Sequence, residues 1–239
     1  MPDTREHRGP HPEDVELFSQ AHWTRLREAV RDLSWLLNRG YAGNSSLKIV
    51  GDRHSLTSRQ RQAVAHCACS EEEGRYRALT RIAADEVKGE RVSIDGFNLL
   101  TTVEAALGGG VILHAHDGCI RDMASVHGSY RHVQETLPAL RMIGEYAGLL
   151  GIHGATWYLD RPISNSGRLR GLILDLARNQ GWAWDVELVF NPDELLAASE
   201  GIIVTSDSGI LNRCRHWLDL GGMLLKERLP GAWLVDLAT

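Results

Sequence analysis

The chain has 239 residues, of which 43% are apolar and 24% charged, and it carries a net charge of −5. That composition excludes a disordered chain, and no apolar run approaches the ~20 residues that span a bilayer. The polar start MPDTREHRGPHPED has no hydrophobic segment of the kind a secretory leader needs, so a cytoplasmic protein without a membrane partner is expected.

Residues 1–12 read as a mobile tail. From 12 to 38, Leu17, Phe18, Trp23, Leu26, Val30, Leu33, Leu36 and Leu37 recur mostly at three- and four-residue steps, which predicts a helix stopped by Gly40. A short helix is expected at 45–50, and Thr57-Ser58-Arg59-Gln60 has the spacing of a capping box opening a third. Residues 13–69 therefore form a small basic helical domain. The charged, proline-free stretch 70–90 reads as a linking helix. From 91 to 239 the pattern changes to β-type runs at 91–95, 111–116, 155–160 and 201–207, with two more at 184–190 and 232–237. Helix-type segments at 137–150, 169–179, 193–200 and 211–218 lie between them. Strands alternating with helices predict an α/β domain with a mainly parallel sheet.

Residues 21–66 hold eight basic side chains (Arg25, Arg27, Arg31, Arg39, Lys48, Arg53, Arg59, Arg61) against three acidic ones, a net +5 that leaves −10 for the rest. A basic module joined to an acidic one suggests nucleic acid held by the first and metal by the second, although a solvated helix face gives the same pattern. The four cysteines are too few for a disulfide framework in a chain of this length. His66-Cys67-Ala68-Cys69 has no second ligand pair to complete a zinc site, so buried thiols are expected there.

Three strands end in an aspartate: Val92-Ser93-Ile94-Asp95, Trp157-Tyr158-Leu159-Asp160 and Ile203-Val204-Thr205-Ser206-Asp207. In a parallel sheet all three carboxyl ends lie on one edge, where ligand sites of open α/β folds sit. Converging carboxylates repel, and a hard divalent cation, Mg²⁺ or Mn²⁺, resolves the repulsion through oxygen ligands. Asp117, at the end of Val111-Ile112-Leu113-His114-Ala115-His116, is a fourth candidate ligand or a turn residue; Asp122 is a weaker one. The loop Arg161-Pro162-Ile163-Ser164-Asn165-Ser166-Gly167-Arg168 offers Arg161, Ser164, Asn165 and Arg168 to a phosphate backbone, unless Ser166 only caps a helix. On the basic domain, Arg39, Lys48 and Arg53 are the candidate phosphate contacts.

Val92-Ser93-Ile94-Asp95-Gly96-Phe97-Asn98-Leu99-Leu100 resembles the opening strand of PIN-like nucleases, in particular the NYN branch, and Thr205-Ser206-Asp207-Ser208 is similar to a later strand-end segment of that superfamily. Leu36-Leu37-Asn38-Arg39-Gly40-Tyr41 with Leu47-Lys48-Ile49-Val50-Gly51-Asp52-Arg53 resembles a prokaryotic family in which a short domain of unknown function precedes a PIN-like domain. The resemblance implies a metal-dependent nuclease. Asp95, Asp160 and Asp207 would hold Mg²⁺ or Mn²⁺, Asn98 and Ser206 would orient ligands or water, and RNA would be favoured over DNA. Two other readings stay open at this point. One is a nucleic-acid-binding module with an inactive acidic cluster. The other is a small-molecule metallohydrolase built on His114 and His116, whose H-x-H spacing can place two imidazoles on one side of a strand. A homo-oligomer is also open.

Overall fold

The structure is a computed structural model that describes residues 7–124 and 130–238. It opens with four helices, α1 (Asp14–Leu17), α2 (Gln20–Leu37), α3 (Gly43–Arg53) and α4 (Ser58–Cys67). The periodic apolar residues of α2 point inward as expected, with Leu26, Val30 and Leu33 buried, and Gly40 stops the chain in the left-handed region at φ 75°. The capping box of α4 is formed: Thr57 Oγ1 accepts from Gln60 N and Gln60 Oε1 accepts from Thr57 N, each at 3.3 Å. The second capping box, Ser70 with Glu73, opens α5 (Glu71–Thr80). The expected linking helix over 70–90 is shorter than that. Arg81 turns extended and bridges Trp217, and Ile82 N donates to Trp217 O at 2.9 Å, so only a short 3-10 turn (Ala84–Val87) follows.

The remainder alternates strands and helices: β1 (Arg91–Asp95), α6 (Gly96–Leu107), β2 (Ile112–His114), β3 (Ile120–Asp122), α7 (Thr136–Leu149), β4 (Gly154–Asp160), α8 (Ser166–Gln180), β5 (Trp184–Val189), α9 (Pro192–Ala197), β6 (Ile202–Val204), α10 (Ser208–Leu211), β7 (His216–Leu218), α11 (Leu220–Arg228) and β8 (Leu234–Asp236). Five strands form a parallel sheet in the order β5-β4-β1-β6-β7, flanked by helices. This is the mixed α/β fold with an N-terminal helical region that the sequence predicts. A second sheet, β3-β2-β8, pairs β2 antiparallel to β3 and parallel to β8.

Two segments differ from expectation. Residues 211–218, read as a helix, contain edge strand β7, because Trp217 and Leu218 pair with Ile203 and Val204 and are buried there. Helix α6 has no apolar stripe to announce it, since Phe97, Leu99, Leu100, Val103, Ala105 and Ala106 are buried on all sides.

The N-terminal helices do not close a core alone. Phe18, Leu26, Val30, Val50 and Val64 pack in one cluster with Leu113 of β2 and Val235 of β8. The expected tail is docked over its described part, residues 7–12; residues 1–6 lie outside the described residues. Arg8 is buried, and its Nε donates to Glu104 Oε2 at 3.1 Å. Glu104 has no exposed surface and also accepts from the hydroxyls of Tyr130 and Thr136. A buried carboxylate of this kind needs a cation, and the N-terminal segment provides it.

Candidate functional site

From β1 the parallel sheet grows to one side through β4 and β5 and to the other through β6 and β7, so the order reverses between β1 and β6. In open α/β sheets such a switch point leaves a crevice at the strands' carboxyl ends. A cleft of about 470 Å³ lies there, with Asp95 on one side and Ser206, Asp207 and Ser208 on the other.

Asp95 ends β1 and is only 8% exposed. Its Oδ2 accepts from Thr205 Oγ1 at 2.8 Å. Burial pushes the carboxyl up to about 7, and the charges of Asp207 and Asp193 push the same way. Glycine follows it for a steric reason. A Cβ at Gly96 would stand 2.5 Å from Leu159 Cδ2 and 2.9 Å from Tyr158 O, so only glycine lets α6 start against β4. One turn into α6, Asn98 crosses the switch point: its Oδ1 accepts from Ser206 N at 2.9 Å and Ser206 Oγ at 3.1 Å. Asp207 caps α10, accepting from Gly209 N at 2.8 Å and Ile210 N at 3.1 Å.

Two further acids line the cleft, Asp193, which the sequence did not single out, and Asp122, which it rated low. Asp193 stands in the first turn of α9, four residues after the carboxyl end of β5. Burial raises its pKa, with Asp207 adding to the effect. In sequence it reads as an ordinary helix-start acid, and only the adjacent strand end Val189 could have singled it out. Asp122, rated below Asp117 from sequence, lines the cleft and accepts from Thr102 Oγ1 at 2.7 Å and Ala124 N at 2.6 Å. Asp160 ends β4 beside β1 but does not line the cleft; it stands at the shoulder, where burial and then Asp193 raise its pKa. Of the three expected acids, the crevice thus joins Asp95 and Asp207, and Asp160 is coupled to them through Asp193.

The family described as "Domain of unknown function (DUF5616)" matches residues 84–223, and the one described as "Protein of unknown function (DUF434)" matches residues 25–78. The chain belongs to the DUF5616 family. It is 29% identical over 186 residues to "Uncharacterized protein MJ0935" of Methanocaldococcus jannaschii, an alignment that covers 78% of this chain and 88% of that protein. No solved structure matches. The DUF434 span precedes the DUF5616 span along the chain. Asp95, Asp160, Asp193 and Asp207 all lie in the DUF5616 span. The cleft is not closed by that span alone, because Ala65 and His66, from α4 in the DUF434 span, also line it.

Asp117 is not in this cleft. Its carboxylate, 1% exposed, sits between two buried guanidinium groups, with Arg77 Nη1 at 2.5 Å and Arg121 Nη1 and Nη2 at 2.9 and 2.6 Å. Burial pushes its pKa up, but Arg121 and then Arg77 outweigh it and hold the carboxyl well below the usual range. Asp117 is therefore an ion-pair partner, which corrects the ligand assignment. The same Arg121 donates through Nε to Ser206 O at 2.8 Å and through Nη1 to His66 O at 3.1 Å, so this buried pair pins two walls of the cleft.

His114 and His116 do not converge. His114 Nδ1 meets Asp236 Oδ1 at 2.8 Å and faces a cavity of about 580 Å³ between the small sheet and α11, while His116 borders a different depression with Asp117 and Arg75. The 580 Å³ cavity is the larger of the two clefts, but its walls are mostly apolar and it gathers no set of acids. The two-imidazole site is thereby corrected: β2 ends at His114 and the chain turns away. The four cysteines are buried and free, and burial pushes the Cys67 thiol up to about 12.

The proposed phosphate contacts fare unevenly. Arg161 lies 5.0 Å over the ring of Phe190, at the end of the same sheet edge, and Phe190 is 72% exposed. Arg168 is exposed. Ser164 O accepts from Tyr130 N, and Asn165, in the left-handed region, donates its amide to Tyr130 O at 2.9 Å, so Asn165 is engaged in holding the chain. Ser166 is the first residue of α8 and not its cap. On the basic face, Arg53 pairs with Asp32, Arg59 with Asp14, Arg61 with Asp52 and Arg27 with Asp236. Lys48 and Arg39 are exposed, Arg39 stacked 3.5 Å over Trp35. Four of the eight basic side chains are thus paired within the protein.

Proposed function

We propose that this chain is a metal-dependent nuclease that hydrolyses phosphodiester bonds, with RNA as its substrate class, and that its C-terminal domain is PIN-like. The observation that carries the reading is the acidity of the switch-point crevice. Asp95, Asp193 and Asp207 share it, and Arg121, the arginine that lines it, is engaged by Asp117. Such a cleft repels a phosphodiester unless a cation sits between them.

The donors fit Mg²⁺ or Mn²⁺. They are carboxylate oxygens, and among the described residues no three His, Cys, Asp or Glu side chains stand close enough to close an ion site alone. Mg²⁺ characteristically takes one or two carboxylates and keeps waters and substrate phosphates as its other ligands. Asp95 and Asp207 would hold it, with Asp193 and Asp160 adding negative charge beside them. The ion supplies Lewis acidity toward a phosphoryl oxygen and acidification of water. The chain's own groups set the geometry. Thr205 fixes the Asp95 carboxylate, Asn98 locks Ser206 across the crevice, and the backbone of α10 fixes Asp207.

The test is cleavage of single-stranded RNA in Mn²⁺ and its absence in EDTA. Mn²⁺ should also raise the melting temperature of the wild type, because an ion held only by the native crevice stabilises it. In an Asp95→Asn, Asp207→Asn double variant that rise should vanish; asparagine keeps the cap of α10, so loss of fold does not confound the result. An equal rise in the double variant would place the ion elsewhere. Binding of RNA without cleavage would favour a nucleic-acid-binding module with an inactive crevice.

The exposed Phe190 beside Arg161 suits a stacked, unpaired base on the shoulder of the acid row. Base–aromatic stacking contributes about 1–3 kcal/mol, so Phe190→Ala in Asp95→Asn protein should weaken binding of a single-stranded oligonucleotide by that amount while Phe190→Trp retains it. Equal affinities for all three proteins would remove Phe190 from the interface.

A further inference from the structure

We propose that the imidazole of His66 accepts the proton of the attacking water, so that the active site is composite, with its acids from the DUF5616 domain and its base from the DUF434 domain. The inference rests on the nuclease reading and adds a residue to that same site.

His66 lies in the last turn of α4, outside the α/β domain, yet it lines the crevice with Asp95, Asn98 and Asp207. Its position is fixed from both sides. The main-chain carbonyl of His66 accepts from Arg121 Nη1 at 3.1 Å, and the next carbonyl, that of Cys67, accepts from His116 N at 2.9 Å. The neighbouring side chains Val64 and Cys67 are buried in the core shared with β2. The last turn of α4 is therefore part of the crevice wall and not a tethered neighbour.

The carboxylates of Asp122 and Asp207 act on the ring through their charge. A neutral imidazole carries one acceptor nitrogen, which is what a proton-accepting role requires. Burial also lowers its pKa and favours that neutral form, against the opposing pull of Asp122 and Asp207.

In the step assigned to it, the water oxygen bonds to phosphorus and the bond from phosphorus to the leaving sugar oxygen breaks, its electron pair leaving with that oxygen. The water's proton passes to the free ring nitrogen, and the sugar oxygen takes a proton from solvent. His66 then returns its proton to solvent.

The experiment compares wild type, His66→Gln, His66→Ala and Asp95→Asn on single-stranded RNA in Mn²⁺, with thermal melts as a folding control. His66→Gln should lower kcat by roughly 10²-fold or more with KM little changed, and added imidazole should restore about tenfold or more of the activity lost in His66→Ala. In metal-free Asp95→Asn protein, the ring nitrogen resonances of His66 should move when a single-stranded oligonucleotide is added. If Asp95→Asn is inactive while both His66 variants cleave at the wild-type rate, His66 fails and the nuclease reading stands. A loss that imidazole does not restore, with His66 resonances unmoved by the oligonucleotide, makes His66 a wall residue and overturns the assignment. A wild type that cleaves nothing removes both.

Discussion

Replacing Asp95 by asparagine is expected to lower RNA cleavage in Mn²⁺ by roughly 10³-fold while raising the stability of the metal-free protein above neutral pH. Both effects come from one cause. The carboxylate is almost completely buried, faces the charges of Asp207 and Asp193, and is compensated chiefly by the Thr205 hydroxyl, with the Asn98 main chain adding to it. Its pKa stands at about 7 in the folded protein against an ordinary 3.8. Between those values the unfolded chain has released the proton and the native chain has kept it. The stability this group contributes is therefore fully present below the ordinary value and is lost as pH rises through about 7. At ~1.4 kcal/mol per pH unit the loss is on the order of a few kcal/mol. Asparagine cannot ionise and still accepts from Thr205, so in EDTA at about pH 8 the variant should melt higher than wild type, the difference closing toward pH 4. A variant that melts lower than wild type at pH 8, or that cleaves at the wild-type rate, would show that Asp95 is not the strained centre of this site.

That centre was legible in the sequence because it is local. Val92-Ser93-Ile94-Asp95 is an apolar run closed by an acid, and a parallel sheet converts every such run into a residue on one edge. Thr205-Ser206-Asp207 was legible by the same rule, and Thr57 with Gln60 by the spacing of a capping box. What escaped was what depends on packing between distant segments. α6 shows no stripe because it is buried on all sides, and β7 follows a short helix with too few residues to display a period. Asp193 enters the crevice only because β5 lies two strands from β1. His66 enters it only because α4 shares a core with β2, a relation that no spacing in the chain encodes. The charge of the basic segment depends on packing in the same way: Asp14 and Asp236, both outside it, take up Arg59 and Arg27.

Asp117 shows how an acid that closes an apolar run can be a structural ion and not a ligand, and its substitution should have the second large effect. Arg77 and Arg121 are both buried and face its carboxylate. Asp117→Leu leaves two buried guanidinium groups together with only the more distant Glu73, 3.9 Å from Arg77, and breaking a buried pair in this way costs about 3–5 kcal/mol. The Asp117 carboxyl is held well below its ordinary value, so its contribution is present above that value and disappears as pH falls. The penalty of Asp117→Leu should accordingly be largest near neutral pH and shrink in acid, where wild type loses the same charge. The damage reaches the crevice through Arg121, which also holds the carbonyls of Ser206 and His66. Cleavage should fall in the milder Asp117→Asn protein even where it remains folded, whereas its affinity for Mn²⁺, read by calorimetric titration of the folded protein, should stay at the wild-type value. If Mn²⁺ affinity dropped with stability unchanged, Asp117 would be a ligand after all, and the separation drawn between the ion-pair cluster and the acidic crevice would be wrong.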